Sequence, residues 1–349
     1  MHAPPGPPGK LADHPQRAKT TRGLDYPALP HERADRSKPV QPRGGYIVQG
    51  TPTLKNSTPF RLVLAALALL LLAAGVAIPY RNVRLARSLM HPARKAVSRP
   101  APDADLPSLE DVTLRTSDGV ALRGWYQSAR NRAAVVLLHG FGENREQMLF
   151  EARALARAGY GVLLLDFRGH GESADALVTW GDRERLDLGA AVDFLAKRPD
   201  VEATRLGVLG FSMGGTVAML GAEADPRLRA VAASGSYPSL TADAHYSYGR
   251  WGPLSTQPVL WTMRWAGVDV DAVDAVSHLC QLGGRPLLLI NGDVDPYAPA
   301  FLQDTIFQAA CEPKSYWVVP GAKHGEYAVK APAEYAKHLR DFFDAALLR

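Results

Sequence analysis

A serine stands among glycines in the stretch GFSMGG, residues 210–215, directly after one apolar run and directly before another. Glycine in a helix costs about 1 kcal/mol relative to alanine, so backbone shape matters more here than helix stability. An apolar strand, a tight turn with a central serine and then a helix form the nucleophile-elbow pattern Gly-x-Ser-x-Gly. The pattern makes Ser212 a candidate nucleophile, although it also arises by chance in a chain with 31 glycines.

A serine nucleophile needs two partners, because a base must remove its proton and a carboxylate must orient that base. In a doubly wound sheet these partners follow the serine in the order acid, then histidine, at the carboxyl ends of strands. The run RPLLLING ends just before Asp293 and Asp295, and the next run, SYWVVPG, ends just before His324. We predict a triad of Ser212, Asp295 and His324, because Asp295 has cleared its strand whereas Asp293 is placed to cap the turn.

The tetrahedral intermediate of such a reaction needs N–H donors, each worth about 3 kcal/mol. One candidate is the amide of Met213, the residue after the nucleophile. The second is Phe141 in LLHGFGENRE, residues 137–146, where the flanking glycines let the backbone turn its N–H inward. His139 in the same loop is an alternative base, but its place before Ser212 in the chain favours a structural hydrogen bond.

Alternating elements from about residue 110 onward would position these residues. A hairpin over residues 111–126 turns at Asp118-Gly119, and Val-, Leu- and Ile-rich runs then alternate with helix-like stretches. This pattern predicts an α/β fold with a mostly parallel, doubly wound sheet preceded by an antiparallel hairpin. The strand-like runs lie at 133–140, 160–169, 204–212, 229–234, 285–292 and 315–321, and the helix-like stretches near 144–158, 183–197, 214–224, 299–310 and 332–348.

Charge and cysteine content exclude some classes of function. The 349-residue chain has a net charge of +5, but residues 110–349 carry 24 Lys or Arg against 29 Asp or Glu. A nucleic-acid-binding domain would show the opposite bias, so we expect no nucleic-acid partner. Cys280 and Cys311 form neither a disulfide framework nor a metal-spaced pair. Two buried free thiols are expected, with one disulfide as the alternative, and neither a metal nor a cofactor is expected.

The N-terminal part of the chain differs in composition from the rest. Residues 1–58 hold ten prolines and six glycines, which predicts a disordered basic tail. No charged or polar side chain occurs over the 17 positions from Leu62 to Ile78, which predicts a single transmembrane helix over residues 59–80. A cleaved signal peptide is disfavoured by its position, unless translation starts downstream of Met1. Residues 81–109, basic and then proline-rich, are predicted to be a juxtamembrane linker near anionic head groups.

The charges around this helix bear on its orientation. Within about twenty residues, its N-terminal side carries three basic residues and its C-terminal side carries six. The positive-inside rule therefore weakly favours a catalytic domain on the cytoplasmic side, although a 60-residue basic tail would then have to cross the membrane.

Five motifs in order carry a family resemblance: LLHGFGENRE, LLLDFRGHGES, GFSMGG, NGDVDPYAP and GAKHGEY. They resemble the α/β-hydrolase superfamily, specifically membrane-anchored serine hydrolases related to monoglyceride lipases and to the serine-aminopeptidase-like branch. The resemblance covers roughly residues 110–349 and implies the Ser212–Asp295–His324 triad, with Phe141 and Met213 as oxyanion donors. Asn291 departs from the histidine that many relatives carry there. The DFRGHGES segment is expected to be structural.

Regular alternation lapses between Ser236 and Leu282, where aromatic residues are concentrated. In an α/β-hydrolase, an insertion at this point lies over the active site as a lid and supplies an apolar acyl pocket. Residues 236–282 are therefore predicted to be a lid, with Trp251, Trp261 and Trp265 as substrate-binding residues. The alternative is that the aromatics simply pack a small helical excursion onto the domain.

Together these features predict a membrane-anchored serine hydrolase that cleaves carboxylic esters, preferentially lipid-like acyl esters, through an acyl-Ser212 intermediate. Its partners would be a small-molecule ester and the lipid bilayer, and the sequence leaves its oligomeric state open. A peptidase or amidase on the same triad is one alternative, and it would want an acidic or polar group near the site to hold a peptide amine. A non-catalytic interaction protein of the same fold is another, against which the intact triad argues.

Overall fold

A computed structural model describes residues 58–349, and its central feature is a sheet that begins at Glu110. Within those residues the sheet has eight strands in the order β1-β2-β4-β3-β5-β6-β7-β8. The β1–β2 and β2–β4 pairs are antiparallel and the remaining neighbours are parallel. The strands are β1 (Glu110–Arg115), β2 (Ala121–Gln127), β3 (Ala134–Leu138), β4 (Gly161–Leu165), β5 (Leu206–Phe211), β6 (Leu228–Ser234), β7 (Leu287–Gly292) and β8 (Lys314–Val319). The predicted hairpin and parallel sheet are confirmed.

Helices cover both faces of this sheet, because successive strand residues point to opposite sides. Val136 and Leu138 of β3 belong to one hydrophobic core, whereas Val135 and Leu137 belong to the other. Helices α3 and α4 contribute to the first core, and α2 and α9 contribute to the second. The helices are α1 (Thr58–Met90), α2 (Leu149–Arg157), α3 (Glu184–Leu195), α4 (Met213–Ala224), α5 (Leu240–Tyr248), α6 (Pro253–Trp265), α7 (Ala300–Ala309), α8 (Tyr327–Lys330) and α9 (Pro332–Leu347).

Helix α1 is long and apolar enough to cross a bilayer by length and composition, and none of its most apolar stretch is buried. It continues to Met90 and so occupies the first part of the segment predicted as a linker. Asn82, Ala86, Leu89 and Met90 are buried, at spacings that place them on one side of the helix. The three arginines of this stretch face solvent. The linker prediction was wrong for residues 81–90. The basic residues of this stretch suggested a solvated segment, but they alternate with positions that are buried on one side of a helix.

The remainder of the predicted linker, residues 91–109, has little regular secondary structure but is fixed to the domain. The Arg94 guanidinium donates hydrogen bonds to the carbonyls of His170 (3.2 Å) and Gly171 (3.1 Å). The carboxylate of Asp103 pairs with Arg153 at 2.7 Å. Such contacts make residues 91–109 part of the domain surface. The tail predicted for residues 1–58 lies outside the described residues, apart from Thr58.

A disulfide joins Cys280, in the segment before β7, to Cys311, which follows α7. The expectation of two free thiols was wrong, because sequence spacing does not show which cysteines lie side by side in the folded chain. The bond closes a loop with a sequence separation of 31 residues. A cross-link over a loop of this size typically stabilises a fold by about 3–4 kcal/mol.

The segment between β6 and β7 contains helices α5 and α6 and two short 3-10 turns. It interrupts the strand–helix alternation where the sequence indicated an insertion. Helix α5 packs against α6, and residues of α5 face the pocket described below.

Candidate active site

Ser212 lies at the sharp turn between β5 and α4. Its backbone has φ 54° and ψ −118°, a conformation that few non-glycine residues adopt. The glycines around it are required by close backbone contacts. A Cβ atom on Gly210 would lie 2.0 Å from the carbonyl oxygen of Gly214, and one on Gly214 would lie 2.4 Å from that of Leu138. The turn therefore forms only with glycine at these positions, and it exposes the Ser212 hydroxyl above the carboxyl end of the sheet.

The structure brings Ser212, His324 and Asp295 together from three separate loops. His324 follows β8, and its Nε2 lies 3.0 Å from Ser212 Oγ. Its Nδ1 lies 2.7 Å from Oδ2 of Asp295, which follows β7. The other carboxylate oxygen of Asp295 accepts hydrogen bonds from the backbone N–H groups of Tyr297 (2.8 Å) and Ala298 (2.9 Å). A continuous hydrogen-bonded chain thus runs from the hydroxyl to a buried carboxylate.

The electrostatics of this chain suit an ionised acid beside a histidine. Burial on its own would raise the pKa of Asp295. The hydrogen bond from His324 and the two backbone N–H donors outweigh that effect, so the pKa lies below its ordinary value. Asp295 is therefore charged at neutral pH and can hold the imidazole in one tautomer and orientation.

The two alternatives considered for acid and base lie elsewhere. Asp293 is exposed, and its carboxylate accepts a hydrogen bond of 2.6 Å from the N–H of Gly321. His139 is fully buried, where its Nε2 accepts a hydrogen bond of 3.1 Å from the N–H of Phe167. Burial lowers the pKa of His139 to about 3. Asp293 thus braces a turn, and His139 is a neutral structural residue.

Two backbone N–H groups beside Ser212 are free to bind an oxyanion. Among residues 58–349, neither the N–H of Phe141 nor that of Met213 donates a hydrogen bond to the protein. Met213 is the first residue of α4, so its N–H also lies at the positive end of a helix dipole. The loop that carries Phe141 passes close to the nucleophile, since a Cβ atom on Gly140 would lie 3.3 Å from Ser212 Cβ.

Several side chains hold the loop that carries Phe141 in place. The sequence motifs did not predict these contacts. Gln147 accepts a hydrogen bond of 2.7 Å from the N–H of Gly140, and His170 accepts one of 3.1 Å from the N–H of Gly142. The indole of Trp180 stacks on the Phe141 ring, with centroids 4.4 Å apart. Trp180 also has a positive φ of 61°. Such supports hold the loop backbone in one conformation, which an oxyanion site requires.

Asn291, the departure from the family pattern, has a defined structural role. It is buried at the end of β7, and its Nδ2 donates hydrogen bonds to the carbonyls of Gly292 (3.0 Å) and Ala298 (2.8 Å). These bonds clamp the loop on either side of Asp295. The side chain thus helps to position the acid, a role that its place in the sequence did not indicate.

A pocket of about 800 Å³ opens above Ser212 and His324. Its aromatic lining comes from Phe141, Trp180, Phe211, Tyr237, Tyr246, Tyr248 and Tyr297. Leu89, from the last turn of α1, also lines it. The backbone of that turn is bonded to the pocket wall, since the Leu89 carbonyl accepts a hydrogen bond of 2.9 Å from Trp180 Nε1. The end of the apolar helix is therefore part of the pocket.

The three tryptophans predicted to bind substrate do not line this pocket. Trp251, Trp261 and Trp265 are 67%, 63% and 86% exposed. Helix α6 turns its tryptophans outward, whereas α5 supplies the tyrosines that face the pocket. The predicted insertion does contribute aromatic side chains to the pocket, but these are tyrosines and not the three tryptophans. In the described part of the chain, no group of three or more His, Cys, Asp or Glu side chains is arranged to hold a metal ion.

Known proteins share both the sequence pattern and the architecture. Residues 129–251 match the model of the family described as serine aminopeptidase, S33. The uncharacterized protein Rv2307c of Mycobacterium tuberculosis (strain ATCC 25618 / H37Rv) is 30% identical over 233 residues, which cover 65% of this chain and 77% of that protein.

Two solved structures extend the comparison. The Pyrococcus furiosus esterase Pf2001 has a TM-score of 0.61 and 26% identity, over 73% of this chain and 99% of that one. A membrane phospholipase A, described as a bacterial virulence factor, has a TM-score of 0.52 and 20% identity over 82% of this chain and 98% of that one, and so shares the fold. With the elbow serine and the doubly wound sheet, these likenesses establish that the chain is an enzyme belonging to the serine hydrolases of the α/β-hydrolase superfamily.

Proposed function

We propose that this enzyme hydrolyses lipid-like carboxylic esters at a membrane surface, with Ser212 as nucleophile, His324 as base and Asp295 as the orienting acid. The observation that carries the chemistry is the hydrogen-bonded chain from Ser212 Oγ through His324 to Asp295, at 3.0 Å and 2.7 Å. A fluorophosphonate, which reacts only with an activated serine, should label the native protein. It should not label the Ser212→Ala variant.

The reaction follows from this geometry. Ser212 Oγ attacks the ester carbonyl as His324 Nε2 takes its proton, and the N–H groups of Phe141 and Met213 stabilise the resulting oxyanion. The imidazolium then gives its proton to the departing alcohol. The acyl group stays bound to Ser212 Oγ as an acyl-serine. A water molecule repeats the sequence, with His324 again as the base, and releases the carboxylic acid and the free serine.

The substrate class is inferred from the junction between α1 and the pocket. Leu89 lies eleven residues beyond Ile78, the last residue of the charge-free stretch, which is roughly 16 Å along a continuous helix. The head-group layer is roughly 5–8 Å thick. If α1 spans a bilayer, the pocket stands just above the head groups of a lipid layer that is rich in acyl esters. We therefore infer a membrane anchor and substrates drawn from the lipid surface.

Chain length of the acyl group should govern the rate. Each buried methylene contributes up to about 0.8 kcal/mol, so kcat/KM should rise several-fold per two carbons until the pocket is filled. Leu89→Trp should reduce the ratio of kcat/KM for octanoate to that for acetate by at least about tenfold, because the larger ring occupies acyl space. The measurement is steady-state hydrolysis of a series of 4-nitrophenyl esters.

Ser88→Trp is the matched control for this variant. Ser88 is the preceding residue on α1 and is exposed, so its replacement should leave the octanoate-to-acetate ratio unchanged. Trp261→Ala should also leave it unchanged, because that side chain does not line the pocket. Equal kcat/KM for acetyl and octanoyl esters in the native enzyme would contradict a lipid-like substrate.

Peptide or amide hydrolysis on the same triad is the second candidate. It is favoured by the match to the serine aminopeptidase family and by a carboxylate, Asp243, that lines the pocket. An aminoacyl 4-nitroanilide assayed beside the matching ester separates the two functions. Faster turnover of the anilide than of any ester would favour the peptidase.

The side of the membrane is proposed from the disulfide. Bonds such as Cys280–Cys311 persist in oxidising compartments and are rare in the cytosol. We infer that the catalytic domain lies on the oxidising, extracytoplasmic side, opposite to the side that the local charge count favoured. The nine basic residues among positions 1–58 would then remain in the cytoplasm.

Protease added to intact spheroplasts of an expressing bacterium should therefore digest the catalytic domain. Alkylation without reductant should leave both cysteines unlabelled, and prior reduction should expose them. A protected domain whose two cysteines are alkylated without reductant would place the enzyme in the cytoplasm.

A further inference from the structure

The pocket contains a carboxylate that the triad does not use. Asp243 lies on α5 and lines the same cavity as Ser212 and His324. Among residues 58–349 it forms no ion pair, and the neighbours that favour its charged form are Ser247, through a hydrogen bond, and the imidazole of His324. A carboxylate that lines a substrate pocket and forms no ion pair of its own is suited to a positively charged group on a ligand.

The other carboxylate that lines the pocket, Glu143, differs in this respect. Glu143 forms an ion pair with Lys95, so its charge is compensated within the protein. Burial raises the pKa values of Tyr237 and Tyr248, and the neighbouring Asp243 carboxylate raises them further. Burial raises the pKa of Asp243 itself to about 6, and the hydrogen bond from Ser247 and the nearby imidazole of His324 oppose part of that rise.

Aromatic rings surround the same space. Tyr246, Tyr248 and Tyr297 line the pocket with Asp243, and the Tyr246 hydroxyl donates a hydrogen bond of 2.9 Å to the Pro296 carbonyl. That bond ties α5 to the loop that carries Asp295. Faces of aromatic rings attract cations by about 0.5–2 kcal/mol, and a carboxylate beside them adds to the attraction. Anionic groups would be repelled by the same arrangement.

We propose that Asp243 and the tyrosines of the pocket form a subsite for an ammonium group of the substrate. The inference rests on the proposed ester hydrolysis and narrows its substrate class to esters that carry a cation near the scissile bond. The cation can belong to the alcohol, as in a lipid with an amino-alcohol head group, or to the acyl part, as in an aminoacyl ester. Asp243 is accordingly a specificity-determining residue.

Two matched pairs of esters test the subsite and distinguish these sources. The first pair is octanoylcholine and its neutral isostere, 3,3-dimethylbutyl octanoate. The second is the 4-nitrophenyl ester of leucine and that of 4-methylpentanoic acid. With the full chain in neutral detergent at pH 7, kcat/KM for the cationic ester should exceed that for its neutral partner by about tenfold in one pair.

Asp243→Asn should bring that ratio close to one, because the amide keeps the size of the side chain and removes its charge. Ratios are compared within each variant, so a general loss of activity does not affect them. Asp271→Asn is the control, since Asp271 lies in the same insertion but outside the pocket, in an exposed pair with Arg264. It should keep the native ratio. The subsite would be overturned if the native enzyme gave a cationic-to-neutral ratio of kcat/KM near one in both pairs. A tenfold ratio that persisted in Asp243→Asn would also overturn it.

A binding measurement separates this proposal from the proposed activity. Octyltrimethylammonium and 1-octanol are titrated into the Ser212→Ala protein by calorimetry, with and without Asp243→Asn. The second substitution should weaken binding of the cation about tenfold and leave binding of the alcohol unchanged. If Asp243→Asn changes the affinity for the cation and for the alcohol by the same factor, the subsite is wrong, whichever substrate the enzyme hydrolyses. If the cation alone responds and no ester is cleaved, the subsite stands and ester hydrolysis fails.

Discussion

We expect Ser212→Ala to lower kcat for ester hydrolysis by roughly 10⁴-fold or more, with little change in the free energy of unfolding. Ser212 lines the pocket and is not fully buried, so loss of its hydroxyl removes the attacking atom without leaving a cavity in the core. His324→Ala should have an effect of similar size, because the serine then has no base. The measurement is steady-state hydrolysis of a 4-nitrophenyl ester, accompanied by thermal unfolding.

The two neighbouring aspartates supply a matched comparison. Asp295→Asn should lower kcat by roughly 10³–10⁴-fold, since the imidazole loses the acceptor that orients it. Asp293→Asn should change kcat by less than about threefold, because that carboxylate only bonds the N–H of Gly321. A larger loss from Asp293→Asn than from Asp295→Asn would show that the acid is wrongly assigned.

Removing residues 1–80 should give a soluble and active enzyme, whereas removing residues 1–90 should not. The longer deletion removes Ala86, Leu89 and Met90, which are 0%, 8% and 2% exposed. Burial of leucine and methionine contributes about 1.5–3 kcal/mol each, and the hydrogen bonds of their carbonyls with Trp180 and Val178 are also lost. Together this is a large part of the stability of an ordinary domain.

The two truncated proteins are compared by the fraction that stays soluble without detergent, by the midpoint of thermal unfolding and by kcat/KM for octanoate. The shorter deletion should match the detergent-extracted full chain in activity. Equal stability and activity of the two truncated proteins would show that the end of α1 is not part of the domain. Full-length protein recovered uncleaved without detergent would contradict the anchor.

The three side chains that the sequence predicts as a triad lie within hydrogen-bond distance of one another, because chain order and strand ends constrain their positions strongly. Asp295 was preferred to Asp293 only because it stands two residues further from the end of β7. That small offset decides which carboxylate can turn towards His324 and which remains at the turn beside Gly321. In a parallel sheet the carboxyl ends of the strands meet at one edge, so local spacing translates directly into proximity.

Sequence reasoning failed where the outcome depends on which face of an element is buried. Trp261 and Trp265 are large and apolar, yet α6 places both in solvent, while Tyr246 and Tyr248 of α5 line the pocket. Composition shows that an insertion is aromatic but not how its helices rotate. Leu89 was missed for a related reason, since the arginines of its segment suggested a solvated linker. The pairing of Cys280 with Cys311 likewise depends on packing that no local pattern encodes.

If α1 anchors the enzyme in a membrane, as we propose, its unbroken course into the pocket wall has a kinetic consequence. An enzyme whose pocket is held at a constant height above a bilayer meets its substrate by diffusion in two dimensions. Its rate then depends on the mole fraction of substrate in the surrounding leaflet and not on the amount of substrate per volume of solution. Diluting the substrate with inert lipid would slow such an enzyme, whereas adding more vesicles of the same composition would leave its turnover unchanged.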